Sequence, residues 1–178
     1  MSTVFSRRAF LKYTAVAAVA VAGTSLLGGC SGAETAICND VGENASNTVL
    51  QIKSTLTALD FSEMGTVVFH LHVKNGRYNP VQVGNSNFFV YADEKLYQGT
   101  NSIKFSLQPG SASGTNIQRG KEADFLIQID NVPTDVNQLA LTFIPDTQYN
   151  EYTANWILPR EKFISSGETE NPDETTGA

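Results

Sequence analysis

The sequence predicts an all-β fold in which two antiparallel sheets pack face to face as a sandwich of about seven strands. Apolar and polar residues alternate with a period of two in most segments between residues 48 and 164. Turn signals separate these segments, and no stretch has the convincing periodicity of an amphipathic helix. A small barrel is the alternative, but no periodic glycine marks barrel corners, so the sandwich is favoured.

The clearest strand covers residues 67–74 and is followed by Asn75-Gly76. One side of this segment is wholly apolar and the other mostly polar, which is typical of a half-buried strand. Because Asn and Gly tolerate positive φ angles, we expect the chain to reverse after the strand. The apolar side consists of Val67, Phe69, Leu71 and Val73.

Other strands are predicted on both sides of this one. The first, residues 48–58, is less apolar, so we expect it at a sheet edge, with Leu50, Ile52, Ser54, Leu56 and Ala58 sharing one side. Trp156, the single tryptophan, is predicted to fill the core with its N–H bonded to a backbone carbonyl. The later candidates are 81–83, 87–92, 96–97, 103–107, 122–130, 139–143 and 152–158.

The N-terminal segment has the features of an export signal. A pair of arginines is followed by a weakly apolar stretch, residues 14–29, which ends at Leu27-Gly28-Gly29-Cys30. This resembles a twin-arginine export signal joined to a lipobox, which implies cleavage after residue 29 and diacylglycerol on Cys30. A short uncleaved membrane anchor is the alternative. The residues assigned to the export signal are Arg7, Arg8, Phe10 and Leu11.

A lipid anchor would place the domain on the extracytoplasmic face of the cell membrane. Each buried CH₂ of an acyl chain contributes ~0.8 kcal/mol, so two or three chains on one cysteine hold a protein without a spanning helix. Removal of residues 1–29 takes away three cations and no acid, which changes the formal charge from -6 to -9. Such an acidic domain is a poor partner for nucleic acid, and we expect anionic lipid headgroups to repel it.

Both termini of the mature chain are predicted to lack fixed structure. Residues 30–47 are rich in small and polar residues and are interpreted as a flexible tether, and residues 165–178 as a disordered acidic tail. The sandwich then covers residues 48–164. Cys38 is the one thiol left after lipidation, so no intrachain disulfide is possible; it is interpreted as a spare tether thiol, with an intermolecular or redox thiol as the alternative.

Candidate chemistry is sparse. His70 and His72, the only histidines, lie two residues apart and so share one face of a strand, a spacing that metal sites use. A third ligand is needed, for which Glu122 and Asp124 are guesses. An exposed polar row is the simpler interpretation. We expect no resident cofactor.

Enzymatic motifs are missing from the sequence. It contains no Gly-x-Ser-x-Gly, no phosphate-cradling glycine loop between a strand and a helix, and no feature that selects a carboxylate pair. The aromatic group Tyr149, Tyr152 and Trp156 could line a sugar or peptide surface, but core and rim packing is favoured. The sequence therefore predicts that the protein is not an enzyme.

One family resemblance rests on turn and core positions. Val67 to Asn75, Pro80, Phe88, Pro109-Gly110 and Gly120 follow one another in an order similar to that of the telokin-like, immunoglobulin-type domains of bacterial lipoproteins of unknown function. The resemblance covers residues 50–145 and implies an immunoglobulin-like sandwich. That family has no assigned catalytic residues, so the resemblance implies none here.

These observations favour a membrane-anchored extracytoplasmic lipoprotein that binds or scaffolds a partner in the cell envelope without catalysis. The partner is an envelope protein or a small ligand, and contacts are expected at the loops 111–120 and 145–151. The alternative is a metal or small-ligand carrier that uses His70 and His72.

Overall fold

The computed structural model describes residues 35–47, 49–148 and 152–164. Strands dominate these ranges, which confirms the all-β prediction. The elements are β1 (Thr35–Cys38), β2 (Asn44–Asn47), β3 (Ile52–Phe61), β4 (Val67–Asn75), β5 (Val81–Gln82), a 3₁₀ turn (Asn85–Asn87), β6 (Phe88–Ala92), β7 (Lys95–Gln98), β8 (Ile103–Leu107), β9 (Asn116–Ile117), β10 (Glu122–Ile129), β11 (Gln138–Phe143), β12 (Thr153–Pro159) and the one-turn helix α1 (Glu161–Ile164).

Two five-stranded sheets form the sandwich. The first has the order β1-β12-β11-β6-β7 and the second β2-β3-β4-β10-β8, while β5 and β9 form a separate small pair. Neighbouring strands are antiparallel except β1, which runs parallel to β12. The orders β3-β4-β10-β8 and β12-β11-β6 correspond to the two sheets of an immunoglobulin domain. The described strands exceed the predicted seven because several are too short to show alternation.

Strand β4 lies at the centre of the second sheet, between β3 and β10. All four residues of its predicted apolar side are fully buried, and His70, His72 and Lys74 lie on the other side. The prediction for this strand is confirmed. The buried side chains of β4 need apolar neighbours on the adjacent strands. Strand β10 supplies them, because every second residue along it is buried.

Four phenylalanines join the two sheets. Phe88 of β6 stacks on Phe143 of β11 with ring centroids 5.3 Å apart, and lies 5.5 Å from Phe105 of β8. Phe105 in turn stacks on Phe125 of β10 at 5.3 Å. Each such pair stabilises the fold by about 0.5–1.5 kcal/mol beyond the burial of its area. The core thus extends across the interface between the sheets.

Strand β3 differs from its prediction in two ways. The register with β4 shifts between Leu56 and Ala58, so that Leu59 replaces Ala58 on the buried side. A bulge inserts one residue and moves every later side chain to the other face, which simple alternation does not reveal. The strand is also not an edge, because β2 pairs with it on the outer side.

The predicted tether, residues 30–47, is wrong for residues 35–38 and 44–47, which form β1 and β2. Cys38 and Ala45 are buried against the core, and the backbone N–H of Gly42 donates to the carbonyl of Leu56 at 2.7 Å. Each of these four-residue strands buries only one small side chain. The other positions can therefore be polar, which gives the segment the composition of a tether. Backbone pairing to the sheets holds it in place.

The chain leaves β12 through α1, where Phe163 packs edge-on against Phe61 with centroids 5.4 Å apart. The final strand at 152–158 is confirmed as β12. The predicted signal segment 1–29 and the acidic tail 165–178 lie outside the described residues. Within the part of the chain that the structure describes, no helix is long and apolar enough to cross a membrane.

Candidate functional site

The predicted lipidation and export residues lie outside the described ranges. These are Arg7, Arg8, Phe10, Leu11 and Cys30. Their roles therefore stay predictions. The structure does describe the two histidines, the aromatic Tyr152 and Trp156, and most of the loops at which contacts were expected.

Each histidine on β4 has its own carboxylate. The Nε2 atom of His70 lies 2.8 Å from Oδ2 of Asp60, and the Nδ1 atom of His72 lies 2.8 Å from Oδ1 of Asp124. Glu122, the other acid that the sequence suggested, is 3.9 Å from Nε2 of His72. The two acids guessed as ligands thus lie near His72 and not near both rings.

This arrangement does not bring a metal-ligand set together. Among residues 35–47, 49–148 and 152–164, no group of three or more His, Cys, Asp or Glu side chains could hold a metal ion. A zinc site in proteins takes three or four such ligands. Metal binding by His70 and His72 stays a prediction, which a Zn²⁺ titration of the wild type and of a His70→Ala/His72→Ala variant tests.

The aromatic group splits between core and surface. Trp156 is fully buried, and its Nε1 donates to the carbonyl of Glu43 at 3.2 Å, which confirms the predicted backbone partner. Tyr152 is partly buried and packs against the core. Tyr149 lies outside the described residues. Trp156 is therefore a core residue and offers no ligand surface.

Cys38 lies within the sandwich, and its interpretation as a tether thiol is wrong. Its side chain is buried in β1 beside β12. Desolvation, with a smaller contribution from the nearby Glu43 carboxylate, raises the pKa of the Cys38 thiol to about 11. A thiol that stays protonated at neutral pH is a poor nucleophile.

One end of the sandwich is organised around a buried asparagine. The side-chain amide of Asn75 donates to the carbonyls of Asn79 and Ile117, both at 2.9 Å, and its Oδ1 accepts from the N–H of Arg77. Its backbone is bonded to residues 120–121. A fully buried amide with every hydrogen-bonding group satisfied fixes the loops that it touches. We call this end, formed by residues 49–51, 76–80, 118–121 and 144–148, the Asn75 end.

Two further contacts bring the remaining loops to the Asn75 end. The N–H of Gly76 donates to the carbonyl of Gln51 at 2.8 Å, and a Cβ on Gly76 would lie 2.8 Å from the same oxygen, so only glycine allows this approach. The buried Asn87 donates from Nδ2 to the carbonyl of Ile144 at 2.7 Å. Two asparagines and the backbone of Gly76 therefore fix four connections.

A salt bridge crosses the Asn75 end. The Nη1 atom of Arg77 lies 2.7 Å from Oδ2 of Asp146, and both side chains are largely buried. This pair lies beside an open pocket of about 260 Å³, which is lined by Arg77, Pro80, Val81, Gln82 and residues 145–148. The pocket is partly formed by the predicted contact loop 145–151. Its size suits a side chain or a small polar group.

Exposed side chains also lie on the loops of the Asn75 end. Tyr78 is 81% exposed, and the guanidinium carbon of Arg119 lies 5.7 Å from its ring centroid. Val49, on the neighbouring turn, is 54% exposed. Tyr and Arg are the residue types that most often dominate binding surfaces. These residues are not predicted from the sequence, because nothing in their local pattern separates them from ordinary loop residues.

A second open pocket, of about 310 Å³, lies between the edge strands β7 and β8. In it the Nζ atom of Lys104 lies 2.6 Å from Oδ2 of Asp130. Hydrogen bonds from Lys104 and Gln128 hold the pKa of the Asp130 carboxyl below its usual range. The acid is therefore ionised and paired, which suits a structural role.

No family model and no curated protein matches the chain. Among solved structures, the chain is similar to yjhA of Bacillus subtilis, with 10% identity over 68% of this chain and 98% of that one and a TM-score of 0.49. The secreted protein MPT63 of Mycobacterium tuberculosis is 17% identical over 68% of this chain and 96% of that one, with a TM-score of 0.45. For ycdA of Bacillus subtilis, the identity is 11% over 69% of this chain and the TM-score is 0.46. The match covers 40% of ycdA, so the chain spans less than half of that structure.

Each of these similarities is distant, so any functional proposal rests on this chain's own residues. Membership in the telokin-like domain family stays a prediction.

Proposed function

We propose that this chain is an exported lipoprotein, anchored through diacylglycerol on Cys30 at the extracytoplasmic face of the membrane, whose sandwich binds or scaffolds an envelope protein without catalysis. The order of a twin-arginine stretch, an apolar spacer and a cysteine supports export and lipidation. The immunoglobulin-like arrangement of the strands supports a binding domain, since loops at the ends of such a sandwich commonly carry recognition.

The observation that carries the proposal is the short sequence separation between Cys30 and the first strand. Because β1 begins at Thr35, only four residues separate it from Cys30. A fully extended chain covers at most about 18 Å over this separation. A lipid on Cys30 would therefore hold the sandwich close to the bilayer. This suits a scaffold better than a carrier that diffuses on a long flexible linker.

The burial of the Cys38 thiol supports binding over catalysis, because a buried thiol is not accessible to a substrate. His70 and His72 each lie against a carboxylate, and the Cys38 thiol is buried. A general base or nucleophile needs access to a substrate. The proposed domain therefore acts through its surface.

Photocrosslinking in cells tests the proposal. A photoreactive amino acid replaces Met64, which is 88% exposed in the β3–β4 turn at the opposite end of the sandwich from the Asn75 end. We expect a discrete crosslinked envelope protein from the anchored chain and a weaker product from a Cys30→Ala variant. Replacements of Leu96 in β7 and Ile37 in β1 probe the two edges of the first sheet. A chain that gives no discrete product at any of the three positions contradicts the proposed partner.

A further inference from the structure

We propose that the Asn75 end is a docking surface for the membrane itself, and that it binds the anionic headgroups of the bilayer to which Cys30 is anchored. This inference rests on the proposed lipid anchor. It assigns an orientation to the sandwich, with the Asn75 end on the bilayer and the β3–β4 turn turned outward.

The path of the chain supports this orientation. Thr35 is paired with Thr153 at the start of β12, directly after the connection that contains residues 144–148. The turn of residues 49–51 lies at the same end, since β2 ends and β3 begins there. The chain therefore enters the sandwich beside the Asn75 end. Four residues between Cys30 and Thr35 keep Thr35, where the chain enters the sandwich, within about 18 Å of the Cys30 backbone.

The charges of the sandwich are divided between its two ends. Five of the nine cations in residues 30–178 lie at the Asn75 end or in the first strand positions beside it, with two carboxylates among the described residues there. The cations are Lys53, Lys74, Arg77, Arg119 and Lys121, and the carboxylates are Glu122 and Asp146.

The opposite end has the reverse balance. Around the β3–β4, β6–β7 and β10–β11 connections and α1, the described residues include eight carboxylates and four cations. Among the described residues the charge is thus unevenly spread between the two ends, and repulsion from anionic lipid is expected at the outward end. The carboxylates are Asp40, Asp60, Glu63, Asp93, Glu94, Asp130, Asp135 and Glu161, and the cations Lys95, Lys104, Arg160 and Lys162.

The cations at the Asn75 end are incompletely neutralised. Lys53 lies directly opposite Lys74 in the β3–β4 ladder, an arrangement of like charges that destabilises a sheet. Glu122 is 3.4 Å from Lys74, whereas no ion pair forms at Lys53, Arg119 or Lys121 among the described residues. An anionic surface would relieve this repulsion, which argues for a negatively charged partner.

The apolar groups of this end suit the interface of a bilayer. Tyr78 and Val49 are exposed on neighbouring loops. Tyrosine has an apolar ring and a polar hydroxyl, and it is enriched where membrane meets water. Because Asn75 and Asn87 already hold the loops, docking would require little ordering of the backbone. Basic, aromatic and rigid features therefore coincide on the end nearest the anchor.

Headgroup quenching tests the docking. The full lipidated chain carries a fluorophore on Val49→Cys at the Asn75 end or, as the matched control, on Met64→Cys at the opposite end; Cys38 is buried and does not compete for the label. Each protein is reconstituted into vesicles of phosphatidylcholine with or without phosphatidylglycerol, containing a headgroup nitroxide. We expect at least threefold stronger quenching at position 49 than at 64 in the anionic vesicles, and loss of the difference in high salt.

A charge-removing variant separates docking from anchoring. Lys53→Gln/Arg119→Gln/Lys121→Gln should abolish the extra quenching at position 49, whereas Lys95→Gln/Lys104→Gln/Lys162→Gln, with the same change in net charge, should retain it. Equal quenching at both positions, or quenching at 49 that needs neither anionic lipid nor the three cations, overturns the inference. If such a protein still floats with the vesicles, the anchor stands. A chain without the diacylglycerol mass overturns the anchor and this inference together.

Discussion

The indole Nε1 of Trp156 donates a hydrogen bond to the backbone carbonyl of Glu43, 3.2 Å away. This contact joins the last strand to the connection between β1 and β2, in a segment whose composition suggests a tether. Cys38 lies beside Trp156 in the β1–β12 pairing, so the covering of the tryptophan depends on both short strands. Residues 35–47 are therefore part of the sandwich.

Deletion of residues 35–47 should destabilise the sandwich severely. Trp156, Leu56 and the edge of β3 would lose their cover, and the lost apolar burial corresponds to about 3 kcal/mol or more. Urea unfolding measures the loss, and the tryptophan emission of the folded variant should shift to longer wavelength. Deletion of residues 166–178, which hold no large apolar residue, is the control. Equal stability of the two deletions would contradict the role of β1 and β2.

Asn75→Ala should lower the free energy of unfolding by about 3 kcal/mol. The substitution leaves the carbonyls of Ile117 and Asn79 and the N–H of Arg77 without their buried partner, and each unsatisfied group costs about 1–3 kcal/mol, which water offsets in part. Asn116→Ala, at an exposed position of β9, should change stability by less than about 0.5 kcal/mol. Thermal unfolding compares the two, and similar melting temperatures would count against the bracing of the loops.

Most of the fold was predictable from alternation, and the exceptions have physical causes. Strands β4, β10, β11 and β12 each bury a complete row on one side, which leaves a period of two in the sequence. Strands β1 and β2 bury one small residue each, so backbone pairing holds them in place. Backbone pairing leaves no alternation of apolar and polar side chains from which these strands could be predicted. The bulge in β3 breaks the period at Leu56, where a local irregularity decides which of Ala58 and Leu59 faces the core.

The stability of the protein should fall at alkaline pH because of Cys38. Burial raises the pKa of its thiol from 9.0 to about 11, so the folded state holds the proton more tightly than the unfolded chain. The resulting stabilisation is fully present below about pH 9 and is lost as the pH rises toward 11, a total of about 3 kcal/mol. Urea unfolding at pH 8 and pH 10.5 should show a steeper loss in the wild type than in Cys38→Ala. Parallel losses would contradict the shifted pKa.

The salt bridge between Arg77 and Asp146 should have a larger coupling energy than the one between Lys74 and Glu122. The first pair is short and largely buried, whereas the second is about half exposed and 3.4 Å long. We expect coupling energies of about 1–2 kcal/mol and below about 0.5 kcal/mol, respectively. Double-mutant cycles to alanine measure both by denaturant unfolding. A coupling at Arg77 no greater than that at Lys74 would show that this contact does not hold the loops together.

The candidate site was less predictable than the fold. The two loops expected to make contacts do reach the Asn75 end, because turn signals locate loops well. The contact between Arg119 and Tyr78 depends instead on how two separate loops meet at the Asn75 end, which is a consequence of topology. Contacts between residues far apart in the chain cannot be predicted from the local sequence. The acidic net charge of the chain likewise gives no indication that one end of the sandwich is basic.

The central claim is that Cys30 becomes the lipidated first residue of an exported chain. Its most direct test is the intact mass of the protein extracted from the membranes of bacteria that make the full chain, compared with Cys30→Ala. The account predicts a wild-type mass equal to residues 30–178 plus diacylglycerol, and a variant that keeps residues 1–29 and lacks the acyl mass. A wild-type chain of all 178 residues, or one that begins at an unmodified Cys30, would contradict it.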